Sequence, residues 1–228
     1  MDALILADGE APDRILLDLA WPGWADDVGL VVAADGGARH AERLGVSLDL
    51  WVGDGDSLDA EGMAALVAGD VPMQQASPHK DESDTELAIR AALERGVDGV
   101  VLVGALGGTR IDHALANIGL LAMDALAGRA VTMLDAGSRI RLLRAPGPDG
   151  GAARLDLAGR LGDLVSLLPV GIGVEGVTTT GLAYPLADEP LPAGPARGLS
   201  NVRVDPSAAV ELRRGMLLVV ETPATLAE

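Results

Sequence analysis

Cysteine and phenylalanine are both absent from this 228-residue chain. With no thiol, disulfides, zinc–thiolate centres and cysteine nucleophiles are excluded. A cysteine-free chain suits a reducing compartment, and a cytoplasmic location is expected. Other rings are scarce: three Trp and one Tyr, 2 % aromatic in all. Positive charge is short as well, with 17 Lys and Arg against 34 Asp and Glu, a formal net charge of −17. A surface of that sign repels a phosphate backbone, so no nucleic-acid partner is expected. A phosphorylated small molecule stays open, because a bound cation inverts the local charge. No apolar run approaches the ~20 residues that span a bilayer, so no membrane partner is expected either. The opening MDALILADGE lacks the basic leader of a secretory signal.

What is present is apolar and patterned. Hydrophobic residues make up 49 % of the chain, enough for a buried core. ALILA (3–7), LVVAAD (30–35), DLWVG (49–53), GVVLVG (99–104) and AVTML (130–134) read as buried strands. Helical stretches alternate with them. GARHAERLG follows the second strand, and a further helix is expected from about Asp112 to Leu126. SDTELAIRAALERG (83–96) is the best signalled: Ser83 and Glu86 form a capping box, and Gly96 closes the segment. Strands alternating with helices predict an α/β domain, a mostly parallel sheet with helices on both faces, over residues 1–147. After the turn-rich APGPDGG (145–151) the segments shorten and Gly and Pro interrupt them. Residues 148–228 are expected to form a smaller antiparallel β-sandwich domain.

Ligands of an open α/β sheet bind beyond the carboxyl ends of its strands, and four polar clusters fall at strand ends or at a helix start. In GDGDS (53–57), Asp54 and Asp56 are two apart, so an extended backbone would aim both carboxylates at one spot. Alone, the motif reads as an Asx-type turn. Functionally, the pair offers hard oxygens to Mg²⁺. In HKDESD (79–84), Asp81 and Asp84 flank the start of the capped helix. Acids suit a helix N-terminus, but that leaves Lys80 unexplained, and an ammonium there can neutralise a phosphate oxygen. In ADGG (34–37), Asp35 can cap the next helix, while Gly36 and Gly37 can bring backbone N–H groups to a phosphate. In GALGGTRIDH (104–113), Gly107 and Gly108 permit close approach to a nucleotide, Arg110 offers a forked donor, and Asp112 can cap the helix or hold a ribose or base. This loop is neither a P-loop nor a GxGxxG fingerprint. His40, His79 and His113 are read as surface or core histidines.

In order and spacing, ADGGARHAERLGVSLDLWVGDGDS, KDESDTELA, GALGGTRIDHALANI, GLAYPL (181–186) and GLSN (198–201) resemble the thiamine pyrophosphokinase family. The resemblance is clearest over about residues 30–120 and reaches into the second domain. It implies an N-terminal α/β nucleotide-binding domain, a C-terminal β-sandwich that contributes to thiamine binding and dimerisation, and a homodimer with active sites between subunits. The reaction it implies moves a pyrophosphoryl group from ATP to the hydroxyl of thiamine and releases AMP, with Mg²⁺ as cofactor. Asp35, Asp54, Asp56 and Asp84 would form the metal and catalytic cluster, with Asp81 the first acid of the same motif. Arg110 and Asp112 would sit at the ATP, and Ser200 and Asn201 at the thiamine pocket. The sequence departs from the family pattern at Gly55, where an aromatic residue is usual between the paired aspartates, at Asp8 in the first strand-end loop, and at Thr109. Two other readings fit the same motifs: an ATP- and Mg²⁺-dependent transferase with another acceptor, and a non-catalytic protein that binds nucleotide or thiamine diphosphate.

Overall fold

The computed structural model describes residues 1–147 and 149–224. Two compact units separate by their internal contacts: Met1–Met123 with Arg129–Ala136, and Asp124–Gly128 with the chain from Gly137 onward. Pro148, where the expected second domain begins, lies outside the described residues.

The first unit is built on six strands: β1 (Asp2–Leu6), β2 (Val28–Ala34), β3 (Leu50–Gly53), β4 (Met73–Gln75), β5 (Gly99–Val103) and β6 (Ala130–Leu134). Every pairing among them is parallel, and their order is β4-β3-β2-β1-β5-β6. The order reverses between β1 and β5, which opens a crevice at their carboxyl ends. Both strands are buried almost throughout, as continuous apolar runs in a doubly covered sheet must be. Five helices connect the strands: α1 (Arg14–Ala20), α2 (His40–Leu44), α3 (Ala60–Ala68), α4 (Asp84–Glu94) and α5 (Ile111–Leu120). One core joins Leu4, Leu6, Leu17, Trp21, Val31, Leu44, Val101 and Val103.

Helix α4 starts as the capping box predicts: Glu86 N–H donates to Ser83 Oγ at 3.2 Å. It buries Thr85, Ala88, Ile89, Ala91 and Ala92, a face small enough to let it lie close on β1, β2 and β3. The helix expected after β2 begins as a 3-10 turn, Asp35–Arg39, passes into α2 and ends on left-handed Gly45. The helix expected to run to Leu126 stops at Leu120. Beyond it Leu121, Ala122 and Met123 donate to carbonyls three residues back, and a separate 3-10 turn covers Asp124–Leu126.

The second unit contains β7 (Arg139–Ala145), β8 (Ala153–Leu157), β9 (Leu164–Thr180), β10 (Glu189–Pro192), β11 (Asn201–Val202), β12 (Ala208–Leu212) and β13 (Arg214–Thr222). All its pairings are antiparallel, as expected, along the path β7-β13-β9-β12-β8. Strand β9 pairs with β13 through Leu164–Val170 and with β12 through Thr178–Thr180. Between those stretches, Gly171, Gly173 and Gly176 take positive φ and let the strand bend. Leu143, Val165, Leu167, Val177, Val210, Leu217 and Val219 form the core of this unit.

Candidate active site

A cleft of about 1070 Å³ lies at the carboxyl edge of the parallel sheet in the first unit. Its floor is two nested loops, one after β1 and one after β5. Gly9 N–H donates to Gly104 O at 2.8 Å. A Cβ on Gly9 would fall 2.4 Å from the carbonyl oxygens of both Gly104 and Gly107, so position 9 admits only glycine while the loops stay nested. Asn117 Nδ2 donates to Ala105 O at 3.0 Å, and the His40 ring contacts Gly9 O through Nε2 at 2.7 Å. Burial pulls the His40 imidazole below its ordinary pKa, so it serves this floor as a neutral ring.

Above the floor, donor oxygens of Asp35, Asp54 and Asp84 all lie within 4.8 Å of one another. Three strand-end or helix-start positions supply them: Asp35 follows β2, Asp54 follows β3, and Asp84 opens α4. Asp35 is 1 % exposed, and its backbone sits in the left-handed region at φ 43°. The buried indole of Trp51 donates Nε1–H to Asp35 O at 3.1 Å, and Ser57 N–H donates to Asp35 Oδ2 at 3.1 Å. Asp35 Oδ1 is buried with no hydrogen-bond partner. Burial, together with the neighbouring Asp56 and Asp84, raises the Asp35 carboxyl to about 6. Lys80 is the cation of the cluster. Its ammonium lies 2.9 Å from Asp54 Oδ2 and 2.9 Å from Asp84 Oδ1. The contact to Asp84 Oδ1 is an ion pair without hydrogen-bond alignment, which leaves that buried oxygen short of a directed donor. Lys80 holds Asp54 below the ordinary carboxylate range. Burial pulls the ammonium's own pKa down, but the adjacent Asp54 and Asp84 carboxylates outweigh that and hold it raised.

The remaining predicted residues divide. Gly107, Gly108 and Arg110 line the cleft, as do Asp35, Asp56, Lys80 and Asp84. Asp56 stands beside the three-carboxylate group rather than in it, its side chain interacting with both Asp35 and Asp54. Strand β3 ends at Gly53, and Gly55 takes φ +86°, which breaks the extended alternation that the spacing assumed. Asp56 N–H instead donates to Asp54 Oδ1 at 3.3 Å, the Asx-type turn, and Asp56 Oδ1 accepts from Ser57 Oγ. Asp56 therefore lies outside the three-carboxylate group. Asp81 is exposed and is not among the cleft's walls. Gly36 and Gly37 are buried against β1 and its loop: a Cβ on Gly37 would fall 2.0 Å from Leu6 O, and one on Gly36 2.0 Å from Asp8 Oδ1. Close packing accounts for both glycines without a phosphate. Arg110 and Asp112 pair with each other at 2.5 Å on the surface, and the guanidinium holds Asp112 down at about 2.

Sequence reading missed two arrangements here. Asp8 pairs with Arg39 Nη1 at 2.6 Å, and Arg39 also donates to Asp8 O, so the acid neither faces a phosphate unpaired nor joins the carboxylate group. The pair is 31 residues apart in the chain, and no local pattern announces it. The second lies in the other unit. Asn201 is buried, its Nδ2 donates to Tyr184 O at 2.7 Å, and its Oδ1 accepts from Tyr184 N–H at 3.0 Å. One amide side chain thus grips both backbone groups of Tyr184, whose own residue is 72 % exposed. Ser200, at φ 55°, donates its N–H to Ser166 Oγ at 3.0 Å.

Comparison with known proteins bears on both units. A family model described as "Thiamin pyrophosphokinase, catalytic domain" matches residues 24–131, and one described as "Thiamin pyrophosphokinase, vitamin B1 binding domain" matches residues 153–217. The chain is 25 % identical over 218 residues to the thiamine pyrophosphokinase of Bacillus subtilis (strain 168), covering 96 % of this chain and 97 % of that protein. Among solved structures, thiamin pyrophosphokinase from Geobacillus thermodenitrificans matches at a TM-score of 0.79 and 26 % identity, over 100 % of each chain. The Bacillus subtilis enzyme matches in fold at a TM-score of 0.82, with 23 % identity over 98 % of this chain and 99 % of that one.

Proposed function

The chain belongs to the thiamin pyrophosphokinase family, its activity is the ATP-dependent pyrophosphorylation of thiamine, and from that premise we propose how its own residues carry the reaction. The observation that bears the proposal is the group Asp35, Asp54 and Asp84 at the carboxyl edge of the parallel sheet. Two of its buried oxygens, Asp35 Oδ1 and Asp84 Oδ1, lack a hydrogen-bond donor. Hard, buried, under-satisfied carboxylate oxygens fit Mg²⁺. Asp35, Asp54 and Asp84 would hold the ion, which when bound supplies charge neutralisation at the transferring phosphates.

The thiamine hydroxyl oxygen attacks the β-phosphorus of ATP. The bond from that phosphorus to the α,β-bridging oxygen breaks, and AMP leaves with the electron pair. The hydroxyl proton passes to the Asp84 carboxylate, which the start of α4 presents to the cleft. The nested glycine loops bring backbone amides to the nucleotide, and Arg110 supplies a forked donor at the rim. Asp56 supports Asp35 and Ser57 rather than the ion. On the acceptor side, Tyr184 is the only aromatic residue in the stretch matched by the vitamin B1 binding model. With its backbone held by Asn201, Tyr184 offers an exposed ring as a platform for a pyrimidine or thiazolium face. Ser200 and Asn201 thus act at the thiamine pocket chiefly through the loop they hold. The two domains divide the labour, nucleotide and metal to the first, thiamine to the second. No helix among the described residues is long and apolar enough to cross a membrane. A cytoplasmic homodimer completes the reading, and exposed Ile172 and Val204 are apolar surface for a second copy to cover.

The test is AMP release from ATP with Mg²⁺ and thiamine, with the product identified by mass. Thiamine diphosphate is expected from the wild type. Asp54→Asn is expected to lose at least about 10²-fold in turnover. Product at an unchanged rate in the variant would remove Asp54 from the site.

A further inference from the structure

The acid cluster has a charge arrangement that the transfer reaction does not require. Lys80 is not a surface ammonium: its side chain is 13 % exposed, and Asp54 beside it is 10 % exposed. It stands four residues before Asp84, so the turn into α4 delivers the cation and one of its acids together. Its contacts fall on Asp54 Oδ2 and Asp84 Oδ1, both at 2.9 Å. Those two carboxylates belong to the three whose oxygens converge within 4.8 Å. An ammonium is compact and carries three donors, and it repels a divalent ion at such range. A metal ion that shares Asp54 and Asp84 with Lys80 is therefore held more weakly than the carboxylates alone would hold it. Only Asp35, whose Oδ1 has no partner, is left uncommitted.

We propose that Lys80 is a built-in competitor of the divalent cation, occupying Asp54 and Asp84 in the nucleotide-free enzyme and releasing them only when nucleotide phosphates offer its ammonium a new partner. The proposal rests on the reading of Asp35, Asp54 and Asp84 as the metal ligands. Without Lys80 the three carboxylates would repel one another and take a cation indiscriminately. With it, the cluster is charge-compensated before nucleotide arrives, and metal entry is tied to nucleotide entry. The coupling is reciprocal: what nucleotide does for metal affinity, metal does for nucleotide affinity.

Mn²⁺ is the probe, titrated against the full-length protein with free ion counted by its paramagnetic resonance signal. Titrations are run without nucleotide and with α,β-methylene ATP, which cannot transfer its pyrophosphoryl group. Lys80→Met is expected to bind Mn²⁺ without nucleotide at least about tenfold more tightly than the wild type. Its enhancement by the analogue is expected to shrink correspondingly. Lys80→Arg, which keeps the charge, is expected to stay within a factor of about three of the wild type. Should Lys80→Met not fold, Lys80→Gln removes the charge while keeping a donor, and the same tightening is expected. Equal or weaker Mn²⁺ binding by the folded, charge-removed variant overturns the proposal and leaves the metal site standing. No Mn²⁺ binding by any of the proteins, even with the analogue, overturns the metal site and the proposal with it.

Discussion

Each unit of the molecule shields a cluster of opposite charges from solvent among the described residues, and the two are balanced in opposite ways. In the first unit three carboxylates face one ammonium, and oxygens of Asp35 and Asp84 are left without directed donors. In the second, one carboxylate faces two guanidiniums. Glu221 accepts from Arg139 at 2.7 and 2.9 Å and from Arg141 at 2.7 Å. Both arginines also reach backbone carbonyls, of Ala158 and Asp156. Glu221 lies directly across from Arg139 in the β7–β13 register, so regular strand pairing alone brings them together. Its charge is consumed by neighbours fixed in the sheet. The first cluster is assembled from loop ends and keeps unspent acceptor capacity. The second cluster, closed on its acceptor side although Arg141 Nε is left without a partner, staples strands; the first, open on its acceptor side, suits a cation.

That contrast can be broken by mutation. The largest stability effect is expected at the closed cluster: Glu221→Gln leaves two buried guanidiniums short of charge and is expected to cost about 3–5 kcal/mol in denaturant unfolding. Asp54→Asn, at the open cluster, is expected to cost less than about 1 kcal/mol while abolishing most turnover. Equal destabilisation by the two variants would erase the distinction. The next effect concerns pH. Asp35 has an ordinary value of 3.8 and a folded value of about 6, so the folded protein binds that proton more tightly. The resulting stability is fully present below about pH 4 and is lost as pH rises through 6. In metal-free protein, Asp35→Asn is expected to remove this slope, on the order of 1–2 kcal/mol after allowance for solvent in the cleft. Thermal unfolding at pH 4 and pH 7, with and without Mg²⁺, measures it. The smallest effect is expected at the acceptor side. Tyr184→Ala should raise the KM for thiamine about tenfold and leave the KM for ATP unchanged. Asn201→Ala should follow it in the same direction, since it frees the loop and not the ring itself.

Much of the first unit was legible because its strands are uninterrupted apolar runs and α4 carries its own start signal. Helices α1 and α3 and strand β4 were not. Exposed Ile15, Leu16 and Leu19 blur the apolar stripe of α1, α3 buries little besides Leu66, and all three residues of β4 are exposed. Lys80, Asp54 and Asp84 were singled out by their motifs, and the fold brings the three together. Asp56 lines the cleft as expected, but its approach through an Asx-type turn depends on the φ of Gly55, which spacing cannot convey. Gly36 and Gly37 were assigned to a phosphate when close contact with β1 and Asp8 explains them. The grip of Asn201 on Tyr184 joins residues 17 apart through a side-chain amide, and composition showed only that the ring was scarce.

Strand β9 carries a consequence for how the second unit comes into being. Its 17 residues serve β13 and β11 at one end and β12 and β10 at the other. A half-assembled unit would leave part of β9 with its amides unpaired and half of its apolar residues wet. The two ends should therefore be gained or lost together, as one cooperative foldon. In a native-state hydrogen-exchange experiment, the amides of Val165–Leu168 and of Val177–Thr179 would then report the same opening free energy.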